Sequence, residues 1–406
     1  MRAIRGFVWL VACSLLSGWG SAIAQNAVTD WSAIAERTVS ANRSAASSEV
    51  LLGVVHAAMY DAVVAIDGRY RPIGPSLTVD RPASASVAAG TAAFGVLRAL
   101  VPAQAPALTE TYSAWLAQTA NDEQRANGMR VGERVASEYL ARREGDGAGK
   151  DLTYNQPPPA AGVWEPTAPP PAVPVDFRLG RATPLVLESA SQFRPSGPPS
   201  LTSDVYRNDL AEVKRLGGKD SSARTAAQTE TAQFWSEHTA VQWSRTVRNL
   251  AIERRLDLQE TARMLAMVHV ASADAMIACF EAKYHFMRWR PVHAIQRSEL
   301  SGEAAADKTW QPLLNVNHPE YPSAHGCWTG AVTTALAAYF GTDAVPFSME
   351  STVTKTTRRY ARLSDALDEV IEARIDSGLH YRQSMQDGAR LGERVARYVV
   401  DRKFRT

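Results

Sequence analysis

Apolar positions recur at spacings of three and four along most of this chain, and few segments alternate residue by residue. Such spacing places apolar side chains on one face of an α-helix. The clearest case is ASSEVLLGVVHAAMYDAVVAID (46–67), where serines able to cap a first turn precede a long apolar run. SASVAAGTAAFGVLRALV (84–101), LTETYSAWLAQTA (108–120) and QRANGMRVGERVASEYLARRE (124–144) predict further helices, each ending near proline, Asn-Asp or glycine. Strand signals are scarce. The pattern breaks in NQPPPAAGVWEPTAPPPAVPVDF (155–177), whose prolines favour extended backbone and lack donors. Helical spacing resumes near Asp204 and continues to the C-terminus. The expected fold is all-α, a helical bundle built as two related four-helix-type bundles in tandem. The halves span 25–154 and 204–406, with a Pro-rich linker and irregular segment at 155–203. MRVGERVASEYLARR (129–143) is echoed by ARLGERVARYVVDRK (389–403), and each copy ends a helical half. In such a tandem only one bundle need carry chemistry.

Residues 1–24 stand apart from this pattern. Arg2 and Arg5 lead an apolar run from Phe7 to Leu16, and Ala22-Ile23-Ala24 closes it. That is the three-part form of a cleaved secretory signal, and the run is short for a membrane span. The mature chain is expected to be exported, periplasmic or extracellular, with no transmembrane segment. Removing Arg2 and Arg5 from 44 basic residues leaves 42 against 42 acidic ones. That balance offers no basic excess for nucleic acid. Cys13 leaves with the signal, and Cys279 and Cys327 then either bridge or sit as small buried hydrophobes.

Candidate chemistry gathers in three stretches of the second half. EAKYHFMRWRP (281–291) crowds Lys283, Arg288 and Arg290 among aromatics, with no acidic residue between Glu281 and Glu299. Lys283 and Arg290 are seven apart, which predicts one shared helical face before Pro291 breaks the helix. NHPEYPSAHGCWTG (317–330) sets Ser323, Ala324 and His325 at the start of an apolar helix, where a hydroxyl and unpaired amides suit an anion. ARIDSGLHYRQS (373–384) closes a helix at Arg374, bends at Gly378 and presents His380. Two arginines and a lysine can cage a tetrahedral oxyanion. A hydroxyl and helix-start amides would complete it, with one histidine bonding the central atom and another moving a proton.

The order K-x6-R-P, P-S-x-H, R-x5-H, here Lys283–Pro291, Pro322–His325 and Arg374–His380, resembles the signature of the vanadium-dependent haloperoxidases. Type 2 phosphatidic acid phosphatases and bacterial acid phosphatases belong to the same superfamily. The resemblance implies that Lys283, Arg290, Ser323, the Ala324 amide and Arg374 bind the oxygens of vanadate or phosphate. It makes His325 the general acid–base group and His380 the residue that bonds vanadium or attacks phosphorus. His318 lies where bromide-using relatives carry histidine, a candidate halide-site residue. Two positions depart from the pattern. The usual P-S-G-H is P-S-A-H, and the aspartate usual four residues after the last histidine is Ser384. A carboxylate there would fix the tautomer of His380, and serine accepts a hydrogen bond more weakly.

The first reading is therefore an exported haloperoxidase that uses vanadate, hydrogen peroxide and halide, bromide favoured, in a family where homodimers are frequent. A phosphatase acting on a phosphate ester through phosphohistidine at His380, with no cofactor needed, is the alternative. A non-catalytic oxyanion-binding relative is a third. A zinc hydrolase fits poorly, because His269, His285 and His293 are irregularly spaced and H-E-x-x-H is absent. His56 and His238 read as structural.

Overall fold

The computed structural model describes residues 26–79, 81–120, 122–147, 152–167, 173–301 and 306–405. The expected secretory signal at residues 1–24, with Cys13, lies outside the described residues. Thirteen α-helices are present among them: α1 (Ala27–Ser40), α2 (Ala45–Asp67), α3 (Ala85–Leu100), α4 (Ala105–Leu116), α5 (Glu123–Arg143), α6 (Asp204–Leu216), α7 (Ala226–Phe234), α8 (Thr239–Glu253), α9 (Leu258–Phe286), α10 (Pro291–Gln296), α11 (Ala324–Phe340), α12 (Leu363–Asp376) and α13 (Arg382–Lys403). One antiparallel hairpin, β1 (Phe347–Ser351) with β2 (Thr356–Tyr360), interrupts them, Phe347 pairing with Tyr360. The all-α class holds.

Local chemistry sets the helix starts. Asn26, Ser44, Ser84, Asp122, Ser203, Thr225 and Asp257 each accept a first-turn amide, which satisfies a donor the helix cannot. The cap of α2 is thus Ser44, ahead of the serines in 46–67.

The echo between 129–143 and 389–403 has a steric basis. A Cβ on Gly128 or Gly132 of α5 would come within 2.6 Å of Ser84 O or 2.5 Å of Ala88 O in α3. On Gly388 or Gly392 of α13 it would come within 2.5 Å of Ser323 O or 2.0 Å of Cys327 O in α11. Each pair thus packs backbone on backbone in the same register, counted from the N-cap serine of the partner helix. The 29-residue α9 packs against α2 on one side and α11 and α13 on the other, so one helix serves both bundles.

By length and composition α2 and α9 could each cross a membrane, with mean hydropathy 1.7 and 1.4. That corrects the expectation that no segment beyond residue 24 is so apolar. Their windows are 83% and 94% buried inside the protein, and helices apolar on every side are what a two-bundle core requires at its centre. Both carry carboxylates answered by protein. Asp61 accepts from Ile73 N, Gly74 N and Tyr139 Oη. Asp274 accepts from Leu185 N, Val186 N and Leu187 N at 2.6–2.9 Å.

Asp274 thereby holds the end of the Pro-rich and irregular segment, which is a strap over α9. Trp164 is wholly buried and donates its backbone N–H to Met287 O at 2.7 Å, while Val175 N reaches Asn317 O at 2.8 Å. The strap so ties the end of α9 to the turn before α11.

Two predictions follow from this packing. Gly132→Ala and Gly392→Ala should each destabilise the fold by about 1–3 kcal/mol, read by urea unfolding, and unchanged midpoints would refute the close-packed register. The second concerns His56 and His269, which stack at 3.9 Å between α2 and α9. Burial pushes His56 well down and His269 to about 3, while burial pushes the Glu49 carboxyl beside His269 up. A histidine depressed in the folded state leaves stability intact above its unfolded pKa and loses it as pH falls below that value. Glu49 works in the opposite sense and offsets His269, leaving His56. Its contribution between pH 6.5 and 5 should be a loss of about 2 kcal/mol. Denaturant titrations should show the parent's loss over that window reduced by about 2 kcal/mol in His56→Gln.

Candidate oxyanion site

Four elements deliver the site. Lys283 stands in the last turn of α9, which stops at Phe286 because Met287 turns left-handed (φ 48°). Arg290 therefore does not share a helical face with Lys283, as the seven-residue spacing predicted. It is the extended N-cap of α10, and Pro291 is that helix's first residue. The two meet through the turn before α11. Lys283 Nζ donates to Pro319 O and Glu320 O, each at 3.0 Å. Arg290 donates to His318 O at 2.9 Å and Leu379 O at 2.8 Å.

Ser323 is the N-cap of α11 and Ala324 its first residue. Ala324 is not among the residues with positive φ, so alanine meets no backbone penalty where glycine is usual. Arg374 lies in the last turn of α12, and Gly378 (φ 76°) then turns the chain so that His380 precedes α13. A Cβ on Gly378 would lie 2.4 Å from Gly217 O. Cys279 and Cys327 are joined as a disulfide between α9 and α11, one turn from Lys283 and Ser323 respectively. That settles the two alternatives left by their count.

His318, Ala324, His325, Arg374 and His380 line a cavity of about 420 Å³, with Met276, Phe280 and Trp328 as its apolar wall. Lys283, Arg290 and Ser323 are not on that lining; they lie beneath it, 0%, 1% and 0% exposed. Arg290 Nη1 approaches His380 Nε2 to 3.4 Å and joins floor to lining. His325 Nε2 is 3.2 Å from Thr239 Oγ1, and Arg374 Nη1 donates to Trp235 O at 3.2 Å. His238 also lines the cavity, a position its helical context did not suggest.

Burial, then the Arg290 charge, pushes Lys283 well below the usual lysine range. Burial pushes Arg290 to about 10 and Arg374 to about 9. His318, His325 and His380 are pushed well down by burial and then by the neighbouring cations, so they are neutral bases at pH 7. Ser323 Oγ and Arg374 Nε are buried without a hydrogen-bond partner, which native interiors rarely tolerate. The other bundle offers a comparison. In the same register Ser84 Oγ accepts Val87 N at 3.3 Å and caps its own helix, whereas Ser323 makes no such bond.

The three motifs thus converge, but one functional group went unread. Glu320, wholly buried, sits 2.8 Å from His380 Nδ1. The expected partner of that nitrogen, Ser384, instead lies beside Glu320, its Oγ buried without a hydrogen-bond partner. Burial raises Glu320 to about 7, opposed by Lys283 and Arg290. The stretch 281–299 does lack acidic residues between its ends, yet its counter-charge comes from the second motif. The available signal was an acid three residues before Ser323, inside NHPEYPS.

Comparison with known proteins first bears on the fold. This chain shares its fold with a bacterial vanadium-dependent iodoperoxidase at TM-score 0.79 and 22% identity, covering 92% of this chain and 95% of that one. Apo and holo forms of a bacterial vanadium-dependent chloroperoxidase match at 0.71 and 0.69, with 17% and 16% identity, covering 86% and 89% of this chain and 92% of each of those. At these identities the likeness is one of fold. More particularly, residues 263–406 match the family described as the VCPO second helical-bundle domain, a span holding all three motifs. No curated protein matches.

Substitution tests the convergence directly. In protein stripped of anions, Lys283→Ala and Ser323→Ala should each weaken phosphate binding by about 10-fold or more, measured by calorimetry. Parent-like affinity in Lys283→Ala would dismantle the site.

Proposed function

We propose that the chain is an exported vanadate-dependent haloperoxidase that oxidises halide, bromide by preference, with hydrogen peroxide. The observation that carries this reading is the buried set of Lys283, Arg290 and Ser323 beneath a cavity that Arg374 lines, with Ser323 Oγ and Arg374 Nε left unmatched. These residues fit vanadate: cations and a hydroxyl for its oxygens, and a neutral imidazole on the lining for the metal. When bound, vanadate would supply Lewis-acid activation of peroxide. Lys283, Arg290 and Arg374 would hold the oxygens of vanadate and stabilise the charge that builds on them. Ser323 Oγ and the Ala324 amide would donate to the same oxygens. His325, neutral and in reach of Thr239, would take or return the proton at the cavity side. His380 would be the metal-bonding residue. His318, on the lining with its ring 5.4 Å from Phe280, is the proposed halide-side residue. The disulfide between Cys279 and Cys327 suits an oxidising compartment and so supports export. A homodimer is proposed on the family resemblance alone.

The same cage would hold phosphate, so one preparation should be assayed twice. Stripped of anions, it should brominate an acceptor dye only when vanadate and hydrogen peroxide are supplied, and phosphate should block the reaction. Hydrolysis of an aryl phosphate that vanadate inhibits, with no bromination, would replace this reading by the phosphatase and make His380 the nucleophile.

A further inference from the structure

We propose that Glu320 is the positioning residue for His380, supplying from the turn before α11 the carboxylate that the family pattern places at position 384. The inference rests on reading His380 as the residue that bonds the central atom of the anion.

Glu320 is held on both sides. Its N–H donates to Arg288 O at 2.9 Å and its C=O accepts Lys283 Nζ at 3.0 Å. Oε1 accepts the Tyr381 N–H at 3.2 Å and faces His380 Nδ1 at 2.8 Å. Oε1 is thus held before any ligand arrives, while Oε2 is buried without a hydrogen-bond partner. An acceptor at Nδ1 selects the tautomer with its proton on that nitrogen and leaves the lone pair on Nε2. Arg290 selects the same tautomer from the other side, because Nη1 at 3.4 Å from Nε2 is a donor and would face a second donor if the proton moved there. Two independent groups therefore aim one lone pair at the place where the cations converge.

The serine at 384 follows from this arrangement. Glu320, Tyr381 and Ser384 surround a gap of about 10 Å³, and an aspartate in Ser384's place would bury a second carboxylate against Glu320. Two like charges there would raise one pKa and disturb the other. Serine leaves Glu320 the single acceptor for His380, so the departure at 384 and the acid at 320 are one change read at two positions.

The experiment uses the full-length mature protein and two variants, Glu320→Ala and Glu320→Ala/Ser384→Asp. Histidine ¹⁵N spectra of the anion-free protein give the His380 tautomer, and calorimetry gives vanadate and phosphate affinities. The expected result is a parent protonated at Nδ1, with that preference lost in Glu320→Ala. Vanadate affinity should fall about 10- to 100-fold while phosphate affinity, which needs no bond to Nε2, does not fall. The double variant should regain both tautomer and vanadate affinity. Should Glu320→Ala fail to fold, Glu320→Gln keeps the volume and should weaken vanadate but not phosphate. A variant with the parent's tautomer and vanadate affinity would overturn the proposal, as would equal losses for both anions or a double variant that recovers nothing. A parent that binds no vanadate would count against the functional reading alone, since the tautomer in anion-free protein still decides the role of Glu320.

Discussion

Three buried cations, two of them beside one carboxylate, govern the second bundle. Lys283, Arg290 and Arg374 are each at most 3% exposed, and ions so placed are costly unless paired or hydrogen-bonded. The protein answers with backbone carbonyls from three separate turns: Pro319 and Glu320 for Lys283, His318 and Leu379 for Arg290, Trp235 for Arg374. Those bonds explain why the chain between helices is so constrained. The turn before α11, the bend at Gly378 and the turn between α7 and α8 are each held by a cation, and each contributes a histidine to the same cavity. The cost of burying the charge and the order of the loops are one and the same arrangement.

Close helix packing makes that arrangement possible, and the comparison between bundles isolates what chemistry adds. The α3–α5 and α11–α13 pairs share a glycine register, with Gly128 and Gly388 each against an N-cap serine. In the first bundle that serine serves its helix. In the second the hydroxyl is released, and the helix start tolerates a missing cap because α11 is held by α13 along its length and by the disulfide to α9. The weakest local feature of α11 is thus the one its surroundings stabilise most.

Much of this was legible in the sequence, and what was not has physical reasons. Helix periodicity gave α2 to α5 within a few residues, because their apolar faces repeat and their ends carry Ser, Asp or Gly signals. The order and internal spacing of the three motifs pointed to one site without any knowledge of contacts. The shared face of Lys283 and Arg290 was misread because nothing local announces that Met287, an ordinary helix former, would take a left-handed conformation. Its backbone answers to Trp164, more than a hundred residues away. The proline segment looked like a linker for the same reason: its partners, Met287 and Asn317, are distant in sequence.

Glu320 is the instructive omission. A scan for counter-charge along 281–299 follows the chain, whereas electrostatic compensation acts through space. A buried carboxylate beside Lys283 and Arg290 could equally come from any element that the fold brings there, and sequence distance carries no penalty once the backbone is ordered. The departure at Ser384 was the better clue, since a buried imidazole that must present one nitrogen needs an acceptor on the other. Losing the expected acceptor while keeping the histidine implies a replacement elsewhere. An acid inside NHPEYPS, three residues from the serine of the second motif, was the nearest residue able to supply it.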